Sequence, residues 1–352
     1  MSKRAAKVEK PANSGRVTLV IPCRDGAATI GPCLEALVPL LAGRHLAQIL
    51  VVDDGSRDDT AEIARGFAGV EVLRGLGRGA GSARNLGWRA AQSELIWFVD
   101  ADAVAAPDAL DRLVAHLDAA DPGPAGGDGR VAAVGGTYGN MRPDALLSRL
   151  IHEEIVARHG RMREEVEFLA TFNVLYRRSA LADVGGFDER FYKGQDAELA
   201  YRVRAAGWRL RFERRSVVRH FHLDALWPYL RVQRQQGYWR VWLAAAHPQR
   251  AGGDGYAGVL DFAQPVLAVA MLALLPFAGT TPGLAAELTL ALALLACQAP
   301  MTLELLRRTG DAQMLMYAPM ASIRAFARGV GLGHGTLALL RDRLKTAATG
   351  AA

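Results

Sequence analysis

The chain has 352 residues, of which 51% are hydrophobic and 22% charged, so it can bury a core and is not expected to be disordered. Its net charge of +6 favours anionic partners such as a nucleoside diphosphate or a phospholipid surface. Nucleic acid is not expected as a partner, because zinc-finger and RNP patterns are absent from the sequence. The three cysteines, Cys23, Cys33 and Cys297, lack CxxC spacing, which gives no support for disulfides or a zinc site.

Apolar runs alternate with helical patterns after a charged segment, 1–15, which lacks the apolar core of a signal peptide and is predicted to be a flexible lead. Continuous runs such as VTLVIP and LIWFV are typical of strands buried on both faces of a sheet. The pattern predicts an α/β fold whose mostly parallel central sheet carries helices on both faces. The predicted strands are 17–22, 48–52, 70–73, 95–99, 131–138, about 167–177 and 209–213. The predicted helices are about 27–41, from 58 onward, 82–91, 107–117, 143–160 and 195–206, with a loop at 121–129.

Five aspartates fall at or just beyond the predicted carboxyl ends of these strands, where such sheets bind their ligands. Carboxylates gathered at one edge repel one another unless a cation or ligand hydroxyl groups lie between them. The segment Asp100-Ala101-Asp102 suits Mg²⁺ or Mn²⁺, and that cation would neutralise a diphosphate leaving group. The alternative is a helix cap followed by a solvated loop aspartate. The five residues are Asp25, Asp53, Asp54, Asp100 and Asp102.

Further candidates follow later in the chain. Asp196 begins a predicted helix, where it is either a cap or a general base that takes a proton from an acceptor hydroxyl. His220 and His222 follow a strand two positions apart, so at most one is expected to reach a metal. The glycine-rich segment GLGRGAGSARN can offer backbone N–H groups to phosphates, although it has no P-loop pattern.

Four segments in this order and spacing resemble the family 2 glycosyltransferases over about residues 16–245. They are VTLVIPCRDGAATIGPCLEAL, ILVVDDGSRDDT, GSARNLGWRAAQSELIWFVDADA and GGFDERFYKGQDAELAYRVRAAGW. The resemblance implies the A-type nucleotide-sugar fold and an inverting, single-displacement transfer of the hexosyltransferase type. The donor would be a nucleotide-diphosphate sugar, held with a divalent metal, Mg²⁺ or Mn²⁺.

The resemblance also implies a set of residues that contact the donor. Asp25, where the family often has asparagine, would lie beside the nucleotide. Asp54 would contact the base, and Arg84 would lie near the nucleotide. Asp100 would hold the ribose side of the donor.

The remaining implied roles concern the metal and the base. Asp102 would bind the metal, with His220 preferred to His222 as a further ligand. Asp196 would be the catalytic base. The chain has Gln195-Asp196 where the family usually has Glu-Asp, which keeps the base and removes any contact of that glutamate to the acceptor.

The region 246–352 is predicted to be helical and membrane-associated. Segments 262–278 and 283–303 approach the roughly 20 apolar residues that span a bilayer. A third apolar segment, 312–333, carries two arginines and is predicted to be interfacial or packed against this hairpin. Arginine and lysine flank the pair, which predicts cytoplasmic flanks under the positive-inside rule. A soluble helical subdomain is the alternative.

The sequence thus predicts a glycosyltransferase at the inner or plasma membrane with a cytoplasmic catalytic domain, 16–245. Its expected acceptor is a hydroxyl of a lipid-linked sugar or a growing cell-surface glycan. One alternative is a polyprenyl-phosphate sugar transferase, favoured by the basic segment 231–240. Another is a non-catalytic glycan-binding scaffold on the same fold, motivated by Gln195.

Overall fold

The computed structural model describes residues 15–120, 130–250, 256 and 258–350. The predicted lead, apart from its last residue, and the predicted loop 121–129 lie outside the described residues. The strands are β1 (Val17–Cys23), β2 (Leu46–Asp53), β3 (Val70–Arg74), β4 (Leu95–Val99), β5 (Ala103–Ala105), β6 (Val131–Asn140), β7 (Glu165–Val166), β8 (Asn173–Arg177) and β9 (Arg209–His220). The helices are α1 (Ala27–Leu37), α2 (Thr60–Arg65), α3 (Ala80–Ala90), α4 (Ala109–Ala119), α5 (Leu146–Arg161), α6 (Arg178–Asp183), α7 (Gln195–Ala205), α8 (Leu226–Ala246), α9 (Val259–Leu274), α10 (Thr281–Thr309) and α11 (Tyr317–Gly350).

One sheet holds all the described strands in the order β3-β2-β1-β4-β8-β6-β9-β5, with β7 paired to β9. Alternate residues of the buried strands point to opposite faces of the sheet and belong to two hydrophobic cores. One face packs against α1 and α4, where Leu19 of β1 meets Ile30 and Leu113. The opposite face packs against α3, α6 and α7, where Val20 lies with Trp88. The α/β fold class with helices on both faces is therefore confirmed.

The two halves of the sheet differ in strand direction. The pairs β3-β2, β2-β1 and β1-β4 are parallel, as the strand–helix alternation predicts. Beyond β4, the pairs β4-β8, β8-β6, β5-β9 and β7-β9 are antiparallel and only β6-β9 is parallel. The sheet is therefore mixed: β5 follows β4 through a short turn with no helical crossover, and β8, which comes after α5 and β7, runs antiparallel to both of its neighbours.

Two short elements depart from the sequence prediction. The three-residue β5 follows the Asp100–Asp102 turn directly, in a stretch between the predicted strand 95–99 and the predicted helix 107–117 where the sequence predicts no element. The strand predicted near 167–177 is two strands, β7 and β8, separated by residues 167–172. The two-residue β7 and the three-residue β5 are too short to show a recognisable period, so their pairing with β9 defines these two strands rather than their own sequence.

Four long helices form the C-terminal part of the described chain. The third apolar segment lies in α11, which packs along α8 and against α9 and α10. The α8–α11 contact is backbone to backbone, since a Cβ at Gly331 would lie 2.0 Å from the Arg234 carbonyl oxygen. The interfacial or packed position of this segment relative to a membrane stays a prediction. The division of the chain at residue 245 stays a prediction.

A buried charge network joins α5 to these helices. Glu154 of α5 pairs with Arg324 of α11 at 2.5 Å and with Arg158 at 2.8 Å. Arg158 also reaches Asp261 of α9 at 2.6 Å. The two arginine charges lower the pKa of Glu154 far below its usual range, although burial alone would raise it. The network therefore holds the sheet and the C-terminal helices in one arrangement.

Two of these helices are long and apolar enough to cross a membrane. They are Val259–Phe277, which adds a short 3₁₀ turn to α9, and Thr281–Thr309. Only 17% and 11% of their most apolar windows are buried. A core helix of a soluble protein hides most of such a window, so these surfaces differ from a protein core.

Candidate functional site

The Asp-x-Asp segment forms a turn between β4 and β5 at the carboxyl edge of the sheet. The β5 strand pairs with the end of β9, opposing Ala103 to His220. The Phe221 N–H donates to the Asp102 carbonyl at 3.0 Å and continues this pairing. This short pairing brings His220 Nε2 to 3.0 Å from Asp102 Oδ1.

Three side chains at this edge form a candidate metal centre. Asp100, Asp102 and His220 each offer a ligand atom, and these atoms lie within 4.8 Å of one another. Two carboxylate oxygens and an imidazole nitrogen suit a divalent cation such as Mn²⁺ or Mg²⁺. Among the described residues, the group leaves out His222, whose ring is buried behind His220 at a centroid distance of 5.0 Å.

The electrostatics of the pair His220 and Asp102 favour the charged form of each side chain. Burial raises the pKa of Asp102, but the hydrogen bond and charge of His220 lower it further, so the net pKa is below its usual value. Burial lowers the pKa of His220, and Asp102 more than reverses this effect. Burial and the neighbouring His220 lower the pKa of His222 to about 3, so His222 stays neutral.

Arg84 lies beside this centre on the first turns of α3. Its Nη2 donates to Asp100 Oδ1 at 2.6 Å, and its guanidinium lies 5.7 Å from the Phe187 ring centroid. The side chain is only 4% exposed, and its Nε and Nη1 have no hydrogen-bond partner among the described residues. A buried guanidinium with unused donors is suited to an anionic ligand.

Asn85, the neighbour of Arg84, fastens α3 to the GGFDE loop. Its Nδ2 donates to the Phe187 carbonyl at 2.8 Å, and the Phe187 N–H donates to Asn85 Oδ1 at 2.9 Å. Gly186 has φ +80°, and a Cβ there would lie 2.5 Å from Asn85 Oδ1. The loop leads toward α7, so Asn85 positions both sides of the site. Sequence reasoning missed this role, although Asn85 and the GGFDE loop both lie in the segments that carry the family resemblance.

Asp196 lies in the first turn of α7, behind a left-handed Gly194 with φ +76°. The Ala197 N–H donates to Asp196 Oδ1 at 2.9 Å. Burial raises the pKa of Asp196, partly offset by that hydrogen bond and by the charge of Arg84. The neighbouring Gln195 is 8% exposed, and its Oε1 has no hydrogen-bond partner among the described residues. Asp196 therefore combines a proton-accepting group with a raised pKa.

The other two predicted donor contacts lie in different surroundings. Asp25, with φ +51°, is exposed and accepts from the Arg57 N–H at 2.8 Å. Asp54 is 2% exposed, and its two oxygens accept from Gly77 at 2.8 Å and from Gly79 at 2.7 Å. In this structure Asp54 thus orders the glycine-rich loop, and its contact to a nucleobase stays a prediction.

A cavity of about 980 Å³ joins these groups. Asp54 and His220 do not line it; His220 lies behind Asp102. The cavity continues between α5, α8, α9 and α11, far past the metal centre. Its volume is at the upper end for ligand sites, which allows two substrates side by side. The predicted residues that line it are Asp25, Arg84, Asp100, Asp102 and Asp196.

The comparisons with known proteins agree in matching this chain to glycosyltransferases. The sequence profile described as glycosyl transferase family 2 matches residues 18–185. A pre-mycofactocin glycosyltransferase of Mycobacterium tuberculosis is 32% identical over 241 residues, covering 66% of this chain and 48% of its own length. An uncharacterised glycosyltransferase of Mycobacterium bovis is 35% identical over 204 residues, covering 55% of this chain and 81% of its own. The chain thus spans about half of the first relative.

A solved structure shares the fold over nearly the whole chain. It is a mannosyltransferase from Pyrobaculum calidifontis in complex with GDP-Man and Mn²⁺. The TM-score is 0.60 at 22% identity, and the match covers 94% of this chain and 90% of the other. At this identity the likeness concerns the fold, including the helices that follow the sheet.

Proposed function

Because the chain belongs to glycosyl transferase family 2, we propose that it moves a sugar from a nucleotide-sugar donor to an acceptor hydroxyl. The observation that carries this proposal is the group Asp100, Asp102 and His220 at the carboxyl edge of the sheet. A divalent cation held there would offset the charge of the nucleoside diphosphate as it leaves. The mannosyltransferase with the shared fold holds GDP-Man and Mn²⁺, which supports this assignment.

The donor would lie across the metal centre and α3. Arg84 has two unused donor atoms in the same cavity, and they would bind donor phosphate oxygens as the Asp100 contact adjusts. Asp25 lines the cavity next to β1 and is placed to contact the nucleotide. Asp54 would act through the loop that contains Gly77 and Gly79, whose backbone it holds.

Asp196 would take the proton from the acceptor hydroxyl. A single displacement with inversion needs a base on the acceptor side, and Asp196 lines the cavity with a raised pKa. A lipid phosphate acting as nucleophile is already ionised at neutral pH and needs no such base. The placement of Asp196 therefore favours a hydroxyl nucleophile over the polyprenyl-phosphate alternative. With Asp102 it also favours an enzyme over a glycan-binding scaffold.

The acceptor would be lipid-linked or part of a cell-surface glycan. Two helices long and apolar enough to cross a membrane lie directly after the α8 wall of the cavity. Such helices would keep the cavity near the bilayer surface and near lipid-linked sugars. The catalytic sheet would face the cytoplasm, a topology that the arginines flanking the helices support through the positive-inside rule.

A thermal-shift panel of nucleotide sugars, each with Mg²⁺ or Mn²⁺, tests the proposal. Ligand binding to the folded state raises its apparent stability, by about 2.7 kcal/mol at a hundredfold excess over Kd. We expect at least one donor to stabilise the full-length chain in the presence of metal and not in EDTA. If no nucleotide sugar shifts the melting temperature with either metal, the proposed function is wrong.

A further inference from the structure

The part of the cavity lined by α5, α8, α9 and α11 is rich in arginine. Four arginines line it, with Glu154 and Asp261 as the acidic groups beside them. Those two carboxylates are already engaged by two of the arginines through the buried network. The four arginines are Arg158, Arg240, Arg324 and Arg328.

The other two arginines lack a carboxylate partner among the residues that the structure describes. Arg240 of α8 stacks on Phe262 at 4.4 Å from the ring centroid, and its Nη2 is buried without a hydrogen-bond partner. Arg328 of α11 donates only to neutral amide oxygens, those of Gln233 at 2.7 Å and Gln236 at 3.1 Å. Two guanidinium charges therefore remain without a matching anion.

The unmatched charge of Arg328 is disfavoured in these surroundings. Burial and the neighbouring Arg324 both lower the pKa of Arg328, which shows that its charge is disfavoured there. An anion that enters the cavity would relieve both effects. A carboxylate would match one guanidinium, whereas a phosphate monoester carries about −1.5 to −2 at neutral pH and would match both.

We propose that Arg240 and Arg328 bind a phosphate group carried by the acceptor. This inference rests on the proposed function in one respect, that the molecule entering this end of the cavity is the acceptor. The phosphate is a binding handle here, while the reacting hydroxyl would approach Asp196, which lines the same cavity. A phosphate fits both a lipid headgroup beneath the apolar helices and a water-soluble phosphorylated sugar.

Binding of small phosphates to the full-length chain in detergent, without donor or metal, tests this proposal. The probes are geranyl phosphate, geraniol and glycerol 3-phosphate. We expect geranyl phosphate to bind at least about tenfold more tightly than geraniol, because charge-assisted hydrogen bonds contribute about tenfold to hundredfold each. Arg240→Gln and Arg328→Gln should each weaken geranyl phosphate binding by about tenfold or more. Arg234→Gln, an exposed change on the same helix as Arg240, should leave it unchanged.

The glycerol 3-phosphate arm identifies the source of the phosphate. Binding of both phosphates supports the site with a soluble acceptor, and binding of geranyl phosphate alone supports it with a lipid headgroup. Equal binding of geranyl phosphate and geraniol would overturn the proposal, as would an equal loss in Arg240→Gln and Arg234→Gln. If the glutamine variants fail to fold, the comparison of geranyl phosphate with geraniol on the wild-type protein still tests the proposal.

Failure of this inference is separable from failure of the proposed function. The donor panel measures nucleotide sugars and metal, and the phosphate probes are used without either. Donor binding without phosphate binding would reject the Arg240–Arg328 site and keep the glycosyltransferase proposal. Phosphate binding without any donor binding would keep the Arg240–Arg328 site and reject the glycosyltransferase proposal. The bound phosphate would then belong to a ligand other than a sugar acceptor.

Discussion

In the first turn of α7, the Asp196 carboxylate lies in the wall of the same cavity as Asp102 and Arg84. Two residues of the sequence produce this geometry, and burial sets the proton affinity of the carboxylate. Gly194 adopts a left-handed conformation that starts the helix, Asn85 fixes the preceding loop to α3, and burial raises the pKa of the carboxyl group. A carboxylate that is harder to ionise is a stronger proton acceptor once it is ionised.

Asp196→Asn removes the proposed base and keeps the shape of the side chain. We expect sugar transfer to fall by about 10²- to 10⁴-fold, the usual contribution of a general base. Metal-dependent donor binding, measured by thermal shift on the same variant, should persist because the donor contacts lie on other residues. Full transfer activity in Asp196→Asn would reject the base assignment.

The raised pKa of Asp196 has a consequence for the pH dependence of kcat/KM. The carboxylate accepts a proton only when ionised, so activity is present above its pKa and lost as the pH falls through it. Because burial moves this pKa upward, the acid limb should lie above the value of about 3.9 of an unperturbed aspartate. An acid limb at or below that value in a pH–rate profile would contradict the placement of Asp196.

For single residues, the sequence predicts where a side chain lies in the fold better than it predicts which residues that side chain contacts. Buried strands followed by aspartate are recognisable, and parallel strands bring their ends together, so the gathering of Asp100 and Asp102 is predictable. The role of Asp54 in the structure is not, because its partners Gly77 and Gly79 belong to a loop without periodicity. Likewise Arg240 and Arg328 come to line one cavity only through tertiary packing of α8 on α11.

At the scale of elements, the three residues of β5 decide whether the metal centre exists. Pairing of β5 with the end of β9 sets His220 against Asp102. The i, i+2 spacing alone did not choose between the two histidines, since that choice depends on the register of a strand too short to predict. The family resemblance preferred His220, which is the member that faces Asp102 in the structure. The helices α1, α3, α4 and α7 were predictable because their apolar faces repeat at helical spacing.

The close contact of α8 with α11 depends on glycine, and Gly331→Ala tests it. A Cβ at Gly331 would lie 2.0 Å from the Arg234 carbonyl oxygen, so the helices must separate. We expect a loss of about 1–3 kcal/mol in the free energy of unfolding, typical of overpacking. The measurement is thermal unfolding of the full-length chain in detergent.

Gly333→Ala is the matched control on the same helix. A Cβ at Gly333 meets no atom within 4 Å among the described residues, so only helix propensity changes. This variant should melt at the wild-type temperature or slightly above it, since alanine is favoured over glycine by up to about 1 kcal/mol in a helix. Equal melting temperatures for the two variants would show that the α8–α11 contact is looser than described.

For the whole molecule, the cavity connects a sheet edge that suits a nucleotide sugar with helices that suit a bilayer. The buried network of Glu154, Arg158, Arg324 and Asp261 holds these two parts together. The sequence predicted the sheet and the apolar helices from their apolar patterns. It did not predict the contact between them, because that contact is made by charged residues that lie far apart in the chain. In the proposed reaction, donor and acceptor would bind in this one cavity.

The exposed apolar helices predict membrane association of the full-length chain. In fractionation without detergent we expect it to sediment with membranes and to be released by detergent but not by high salt. Leu292→Asp, in the middle of α10 and 67% exposed in the wild type, should weaken this association, since aspartate costs about 2.5–3.5 kcal/mol at the centre of a span. Leu344→Asp, 70% exposed on α11, is the control and should not. Recovery of the wild type in the soluble fraction would contradict the membrane proposal.

Mn²⁺ binding tests the central claim most directly, that Asp100, Asp102 and His220 hold the cation that binds the donor diphosphate. The electron paramagnetic resonance signal of free Mn²⁺ reports its loss on binding, in the presence of the nucleoside diphosphate of the best donor. We predict stoichiometric binding by the wild type, at least about tenfold weaker binding by Asp102→Asn, and wild-type binding by Asp59→Asn, an exposed aspartate away from the cavity. Mn²⁺ binding by Asp102→Asn as tight as by the wild type would contradict the account.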